Sequence, residues 1–202
     1  MDDLCFTDLD KFKDSVEEKI LSSDSLITLI DCFDDYISNN HVSSDYLIIF
    51  YRVIVDKMNR SMDFSFSIKI LLKIYSKIVD LEILNIDSYL LKIDTIMILG
   101  IQYFQNKQVE KSKEKILEAI QFGEKYIYFS KETYYDALNC AYSWMGYYYY
   151  QDGNLEDALT CFRKILSYDE EVKDDPDYHV KEENSVSMSR AYIEEIEEKS
   201  SN

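Results

Sequence analysis

The sequence predicts an all-α chain of antiparallel helix pairs, about nine helices in all, and three observations carry that prediction. Only one proline and four glycines occur in 202 residues, too few to punctuate sheets and tight hairpins. Apolar residues recur at steps of three and four through most of the chain, the mark of helices with one buried stripe. In the second half, small and large residues recur together at a single fixed separation.

Taken in order, Leu9, Phe12, Val16 and Ile20 line one side of a first helix, which Ser22 to Ser25 interrupts. Asp24 or Ser25 can cap a second, carrying Leu26, Leu29, Ile30, Phe33, Tyr36 and Ile37. Residues 1–42 thus read as an N-terminal helix pair, either a degenerate repeat or a cap. Ser43, Ser44 and Asp45 offer the next cap, and Tyr46 to Met58 is apolar almost all round, as a helix in the middle of an array would be. After the break at Asn59 to Asp63, Phe64, Ile68, Leu71, Leu72, Tyr75, Ile78 and Val79 form another stripe. Its isoleucines would suit a strand, but three-and-four spacing over more than fifteen residues favours a helix.

Asn85 or Asp87 can start a fifth helix, with Leu90, Ile93, Ile96, Met97, Gly100, Tyr103 and Phe104, ending near Asn106 and Lys107. The sixth begins at about Gln108 and turns Ser112, Ile116, Ala119 and Ile120 to the core. Next come a helix over Lys131 to Asp152, a turn at Gly153 and Asn154, and a helix over Leu155 to Tyr168. Beyond Tyr168 the chain becomes strongly acidic, with the connector DEEVKDDPD at 169–177. Val186, Ala191, Tyr192, Ile193 and Ile196 then draw a thin stripe on a final capping helix; the alternative is a mobile acidic tail, and 197–202 is expected to fray.

Gly100 and Gly146, Lys107 and Gly153, Ser112 and Ala158, Ile116 and Phe162 each stand 46 residues apart. A further step back of 45 or 46 residues lands on the Asn59 to Asp63 break, with Ser67 and Leu71 as small and large contacts. Residues 43–168 therefore read as three helix-pair repeats, the first of them weak, within a repeat domain over 1–168; residues 169–202 form the connector and cap.

Within Ala141 to Tyr168, Gly146 marks a close helix approach, Gly153 closes the turn, and Ala158 with Phe162 supplies one small and one large contact. This stretch resembles a tetratricopeptide repeat, in a long-helix variant with a period of about 46 residues in place of the usual ~34. The extra residues fall between Phe122 and Asn139, where Lys125 to Tyr135 would lengthen two helices. The resemblance implies a right-handed α-solenoid whose first helices line a concave groove for a peptide. On that basis the groove would hold Asp94, Met97, Ile98, Ile101 and Phe104 in the middle repeat, and Cys140, Ser143, Trp144, Tyr147 and Tyr150 in the last. In the weak repeat it would include Ile49, Arg52, Val53, Asp56 and Asn59. Only Arg52 and Asn59 approach the lysine and asparagine set with which chaperone-binding members clamp a terminal carboxylate, so an aromatic, apolar groove is expected instead.

Trp144, Tyr147 and Tyr150 have two readings, partner contact or packing between helices or between copies. Of the four consecutive tyrosines at 147–150, at least one must pack internally, and Tyr149, one turn from Gly146, is the expected core member.

A formal net charge of -17 opposes nucleic-acid and anionic-membrane binding and is met either by a solvated surface or by a patch for a basic partner. The longest charge-free apolar run, Thr95 to Asn106, is about half of the ~20 residues a membrane helix needs. No secretory signal is expected from the Met-Asp-Asp-Leu start, and Cys5, Cys32, Cys140 and Cys161 follow no metal or disulfide spacing, so free thiols in the cytoplasm are expected. His41 and His179 stand alone as loop residues, no phosphate-cradle or nucleophile motif occurs, and 169–177 lacks the ligand spacing of a calcium loop. No catalytic residue, metal or cofactor is expected. The sequence thus points to a non-enzymatic adaptor that binds a segment of another protein; an acidic export or assembly chaperone and a self-associating, homo-oligomeric subunit are the alternatives.

Overall fold

A computed structural model of the chain describes residues 9–19, 26–39, 43–178 and 185–200, and all ten elements within them are helices. His41, His179 and Cys5 lie outside the described residues. The chain divides into two compact units, 1–82 and 83–202.

The first unit holds α1 (Leu9–Lys19), α2 (Leu26–Asn39), α3 (Ser44–Asn59) and α4 (Phe64–Ile78). Its core is aromatic: Phe33 stacks on Phe50 at 3.8 Å between centroids, and Phe12 meets Phe33 at 6.1 Å and Tyr46 edge-on at 5.0 Å. The Tyr51 hydroxyl donates to Asp34 at 2.6 Å, a bond that ties α3 to α2. Asp63 caps α4 by accepting from the Phe66 amide, and Ser67 and Leu71 are both fully buried.

The second unit is built on two helix hairpins, α5 (Ile86–Gln105) with α6 (Val109–Lys125) and α8 (Asp136–Gln151) with α9 (Leu155–Val172). Asn85 caps α5 in a reciprocal box with Ser88, and Asn154 caps α9 by accepting from the Asp157 amide. The two hairpins share their turn. Lys107 takes up, at φ 60°, the left-handed position that Gly153 fills at φ 76°, and the amides of Lys107 and Gly153 bond the carbonyls of Phe104 and Tyr150. Lys107 replaces the expected glycine without changing the turn, at a backbone cost of ~1–2 kcal/mol.

The hairpin contacts also match. A Cβ at Gly100 would stand 2.9 Å from Ile116 Cδ1, and one at Gly146 would stand 2.6 Å from Phe162 Cε1. Ser112 and Ala158 are both fully buried. α8 then packs against α6, with Leu138 and Ile93 closing over Gly123. Ser112 donates to the Gly100 carbonyl at 2.6 Å, which leaves its lone pairs to the Tyr148 hydroxyl at 2.5 Å. Tyr148, not Tyr149, is accordingly the buried member of the tyrosine run (3 % exposed). The reason is that Leu138, Ala141, Met145 and Tyr148 form one stripe, whereas Tyr149 lies half-buried beside Ala158 and Phe162.

The helix expected over Lys131 to Asp152 is two elements. A short α7 (Ile127–Glu132) ends in Tyr134 and Tyr135, both left-handed (φ 51° and 58°), and α8 starts only at Asp136. Packing holds this strained bend: the Tyr135 ring stacks on Tyr168 at 4.2 Å and its hydroxyl donates to Glu171 at 2.9 Å. Ser130 on α7 donates to the Gly123 carbonyl and meets the Tyr89 hydroxyl at 2.6 Å, while Tyr89 stacks between Phe122 and Phe129.

α9 runs one turn past Tyr168, to Val172. Asp169, buried in that turn, accepts from the Tyr178 hydroxyl at 2.8 Å and the Arg190 guanidinium at 3.2 Å, so part of the acidic connector is an anchor. The final helix, α10 (Ser185–Ser200), is ordered against α9 and α8 as a cap. Val186 and Ile196 join the Ala158, Phe162 and Ile165 cluster, and Tyr192 stacks on Phe162 at 4.9 Å. Ala191, expected in the stripe, is exposed; Ser189 takes the buried place because it lies three residues from Val186 and seven from Ile196.

Candidate functional site

The face shared by α5 and α8 gathers most of the residues expected in a groove. Phe104, near the end of α5, meets Trp144 edge-on at 5.0 Å and Tyr147 edge-on at 6.4 Å, and Trp144 lies 6.3 Å from Tyr147. Tyr148 closes the cluster from beneath, 6.0 Å from both Phe104 and Trp144. All three upper rings are half-buried, so each is fixed by neighbours while keeping part of its surface in water. Such rings present large apolar area at low entropic cost.

Ile101, one turn before Phe104, is half-buried, whereas Met97 is buried (4 % exposed) and forms floor more than rim. Ser143, one turn before Tyr147, is half-buried, and its hydroxyl oxygen, itself buried, has no hydrogen-bond partner among the described residues. The side-chain carbonyl of Asn139, one turn further back and buried, also lacks one. Two unmet polar atoms on successive turns of α8 therefore accompany the aromatic rings.

Tyr150 is placed elsewhere. Six residues carry it about 120° round α8 from Trp144, and α10 holds it there: its hydroxyl donates to Glu195 at 2.5 Å, Lys199 donates to that hydroxyl at 2.5 Å, and its ring lies 5.2 Å from Tyr192. In the first unit, Ile49, Arg52 and Val53 are half-buried on α3, with Asp56 and Asn59 exposed beyond them.

The electrostatics of this face are mild. Burial first, then Asp136 and Asp94 nearby, push the Cys140 thiol up to about 11; burial and Asp157 do the same for Cys161. Neither is a thiolate at neutral pH, so neither is set up as a nucleophile or metal ligand. Among the described residues no three His, Cys, Asp or Glu side chains are grouped to hold a metal ion, and no helix is long and apolar enough to cross a membrane.

Behind the site lies a polar knot that the sequence did not announce. Glu124 on α6 accepts from Tyr142 at 2.7 Å and Tyr168 at 2.5 Å, with the Lys164 ammonium 3.6 Å away. Burial works to raise this carboxyl, but the two phenol donors and Lys164 outweigh it and hold it below the usual range. The knot joins α6, α8 and α9. Its only sequence trace is a pair of tyrosines, Tyr142 and Tyr168, flanking the repeat signature.

Comparison with known protein families finds the tetratricopeptide repeat model matching residues 140–172. No curated protein and no solved structure matches the chain. The matched segment spans α8 from Cys140 through the Gly153 turn to the end of α9. The α8–α9 hairpin is thus similar to a tetratricopeptide repeat, and every element among the described residues is a helix.

Proposed function

We propose that the chain is an adaptor whose α5–α8 face receives a segment of another protein, with Trp144, Tyr147 and Phe104 as the main contacts and Ile101, Met97 and Ser143 beside them. Tetratricopeptide repeats are typically non-enzymatic protein–protein interaction modules, and the match over 140–172 supports reading this chain as one. The observation that carries the finer reading is the edge-on cluster of half-buried rings contributed by the first helices of two successive hairpins. The net charge of -17 favours a protein partner over a polyphosphate or an anionic bilayer, and free thiols favour the cytoplasm. Tyr150, engaged by α10, contributes by fixing the end of α8.

The test is capture from source-cell lysate by the wild-type chain and by a Trp144→Ala, Tyr147→Ala double variant whose helicity is matched by circular dichroism. Trp144 is the sole tryptophan, so its emission reports engagement of this face directly. Retention of a protein by the wild type alone, with a shift in Trp144 emission, is expected, because truncating central aromatic anchors costs ~2 kcal/mol or more each. Equal capture by both forms, or loss of helicity in the double variant, would return these rings to a packing role.

Stacking of copies on the α8–α9 hairpin is less favoured, since α10 covers it and turns outward an exposed side of Arg190, Ala191, Glu194 and Glu198. A mass that rises with concentration would reverse that ranking.

A further inference from the structure

A second cleft lies on the other side of α8. α6 lines it with Glu110, Lys113, Glu114 and Leu117, and α8 with Met145, Tyr148, Tyr149 and Asp152, both sets at i, i+3, i+4 and i+7. The space between them is about 350 Å³. Met145, Tyr149 and Asp152 stand roughly half a turn round α8 from Ser143 and Tyr147, so this cleft opens on a different side of α8 from the aromatic face, and buried Tyr148 is the residue the two share.

One half already holds a cation. The Lys113 ammonium bonds Asp152 at 2.7 Å, lies 3.8 Å from Glu110, and sits 5.7 Å from the centre of the Tyr148 ring. The rest of the lining offers no second cation: Glu114 is exposed and has no ion-pair partner among the described residues, the Tyr149 ring is half-buried, and Leu117 is 45 % exposed beside buried Met145. Glu110 has a structural reason to be acidic, since it lies in the first turn of α6, but Glu114 does not. Three carboxylates face one ammonium, so the cleft is net negative with an apolar floor.

We propose that this cleft is a second binding site, one that takes an arginine or lysine side chain from a basic segment of a partner protein. Its aliphatic stem would lie along Leu117 and Met145 and its head against the Glu114 carboxylate, with the Tyr149 ring lining the α8 side of the same cleft. Arginine fits better than lysine, because its planar head can stack on the ring while it bonds the carboxylate. The acidic chain as a whole would draw such a segment in.

The test uses the full chain with ¹³C-methyl methionine and two five-residue probe peptides, one with a central arginine between leucine and alanine residues and one with norleucine in its place. Met145, one of six methionines, is assigned with a Met145→Leu variant, and the other methyls serve as controls. The Met145 methyl is expected to shift to saturation with the arginine peptide only. Binding should weaken about tenfold in Glu114→Lys and stay unchanged in Tyr147→Ala, a charge reversal at one close pair being worth ~1 kcal/mol or somewhat more. Equal response to both peptides, an unaffected Glu114→Lys variant, no saturable shift, or a shift of Met97 in place of Met145 would each overturn the proposal.

Discussion

Gly146→Ala offers the sharpest test of how the two hairpins are held. A methyl at Gly146 would stand 2.6, 2.8 and 3.0 Å from Cε1, Cζ and Cδ1 of Phe162, well inside contact distance for three ring atoms at once. The ring cannot step aside, because Phe162 is buried and Tyr192 of α10 is stacked on its far face with planes 3° apart. At Gly100 the nearest atoms are Ile116 Cδ1 at 2.9 Å and Cγ1 at 3.2 Å, the end of a chain that can change rotamer. Overpacking costs ~1–3 kcal/mol, against which alanine recovers ~1 kcal/mol of helix propensity. Gly146→Ala is therefore expected to destabilise by about 1–2 kcal/mol net and Gly100→Ala to be close to neutral. Urea unfolding followed by circular dichroism measures both. Adding Phe162→Ile to Gly146→Ala puts the new methyl against a flexible aliphatic chain, as Gly100→Ala would against Ile116, and the cycle should show a favourable coupling of about 1 kcal/mol. A Gly146→Ala chain as stable as wild type, or a coupling near zero, would refute the claim that this contact sets the hairpin spacing.

The geometry carries three further expected outcomes. Lys107→Gly should raise stability by about 1 kcal/mol in thermal melts, since glycine meets φ 60° without the Cβ penalty, whereas Gly153→Ala should lower it similarly. Because the Glu124 carboxyl is held below its ordinary value of 4.5, its contribution is fully present above that pH. That contribution is lost as pH falls through the folded value, so Glu124→Gln should flatten the acid side of the melting-temperature profile; an unchanged profile would argue against the knot. With both thiols raised to about 11, Cys140 and Cys161 should react with a disulfide reagent near neutral pH far more slowly than exposed Cys32, as read by mass spectrometry of the labelled peptides.

Helices were legible wherever one stripe of apolar residues met a polar cap, as at Asn85, Asp63 and Asn154, because both signals are local. The paired small and large residues were legible for a related reason: helix approach needs a specific size at a specific place, so Gly100 with Ile116 and Gly146 with Phe162 leave a mark in sequence. The break before α8 left none. Tyr134 and Tyr135 adopt a conformation that glycine favours, and what holds Tyr135 there is a stack on Tyr168 thirty-three residues away. No local propensity encodes such a bend. Tyr148 was missed because its burial comes from α6, through Ser112, and not from the α9 side that Gly146 defines.

Phe104 and Tyr150 show why the candidate site itself was only partly legible. They occupy positions 46 residues apart, each near the end of the first helix of a hairpin. Each meets an aromatic ring on a later helix: Phe104 meets Trp144 of α8 at 5.0 Å, and Tyr150 meets Tyr192 of α10 at 5.2 Å. α10 therefore stands to the α8–α9 hairpin as α8 stands to α5–α6, and it converts Tyr150 from a candidate contact into a packing residue. Whether an aromatic at that position serves a partner or the next helix depends on which element packs beside it, and the hairpin's own sequence does not contain that element. Trp144 and Tyr147, by contrast, pack on Phe104 and Tyr148 and still stay half-exposed on the face they share, which is what the proposed contact requires of them.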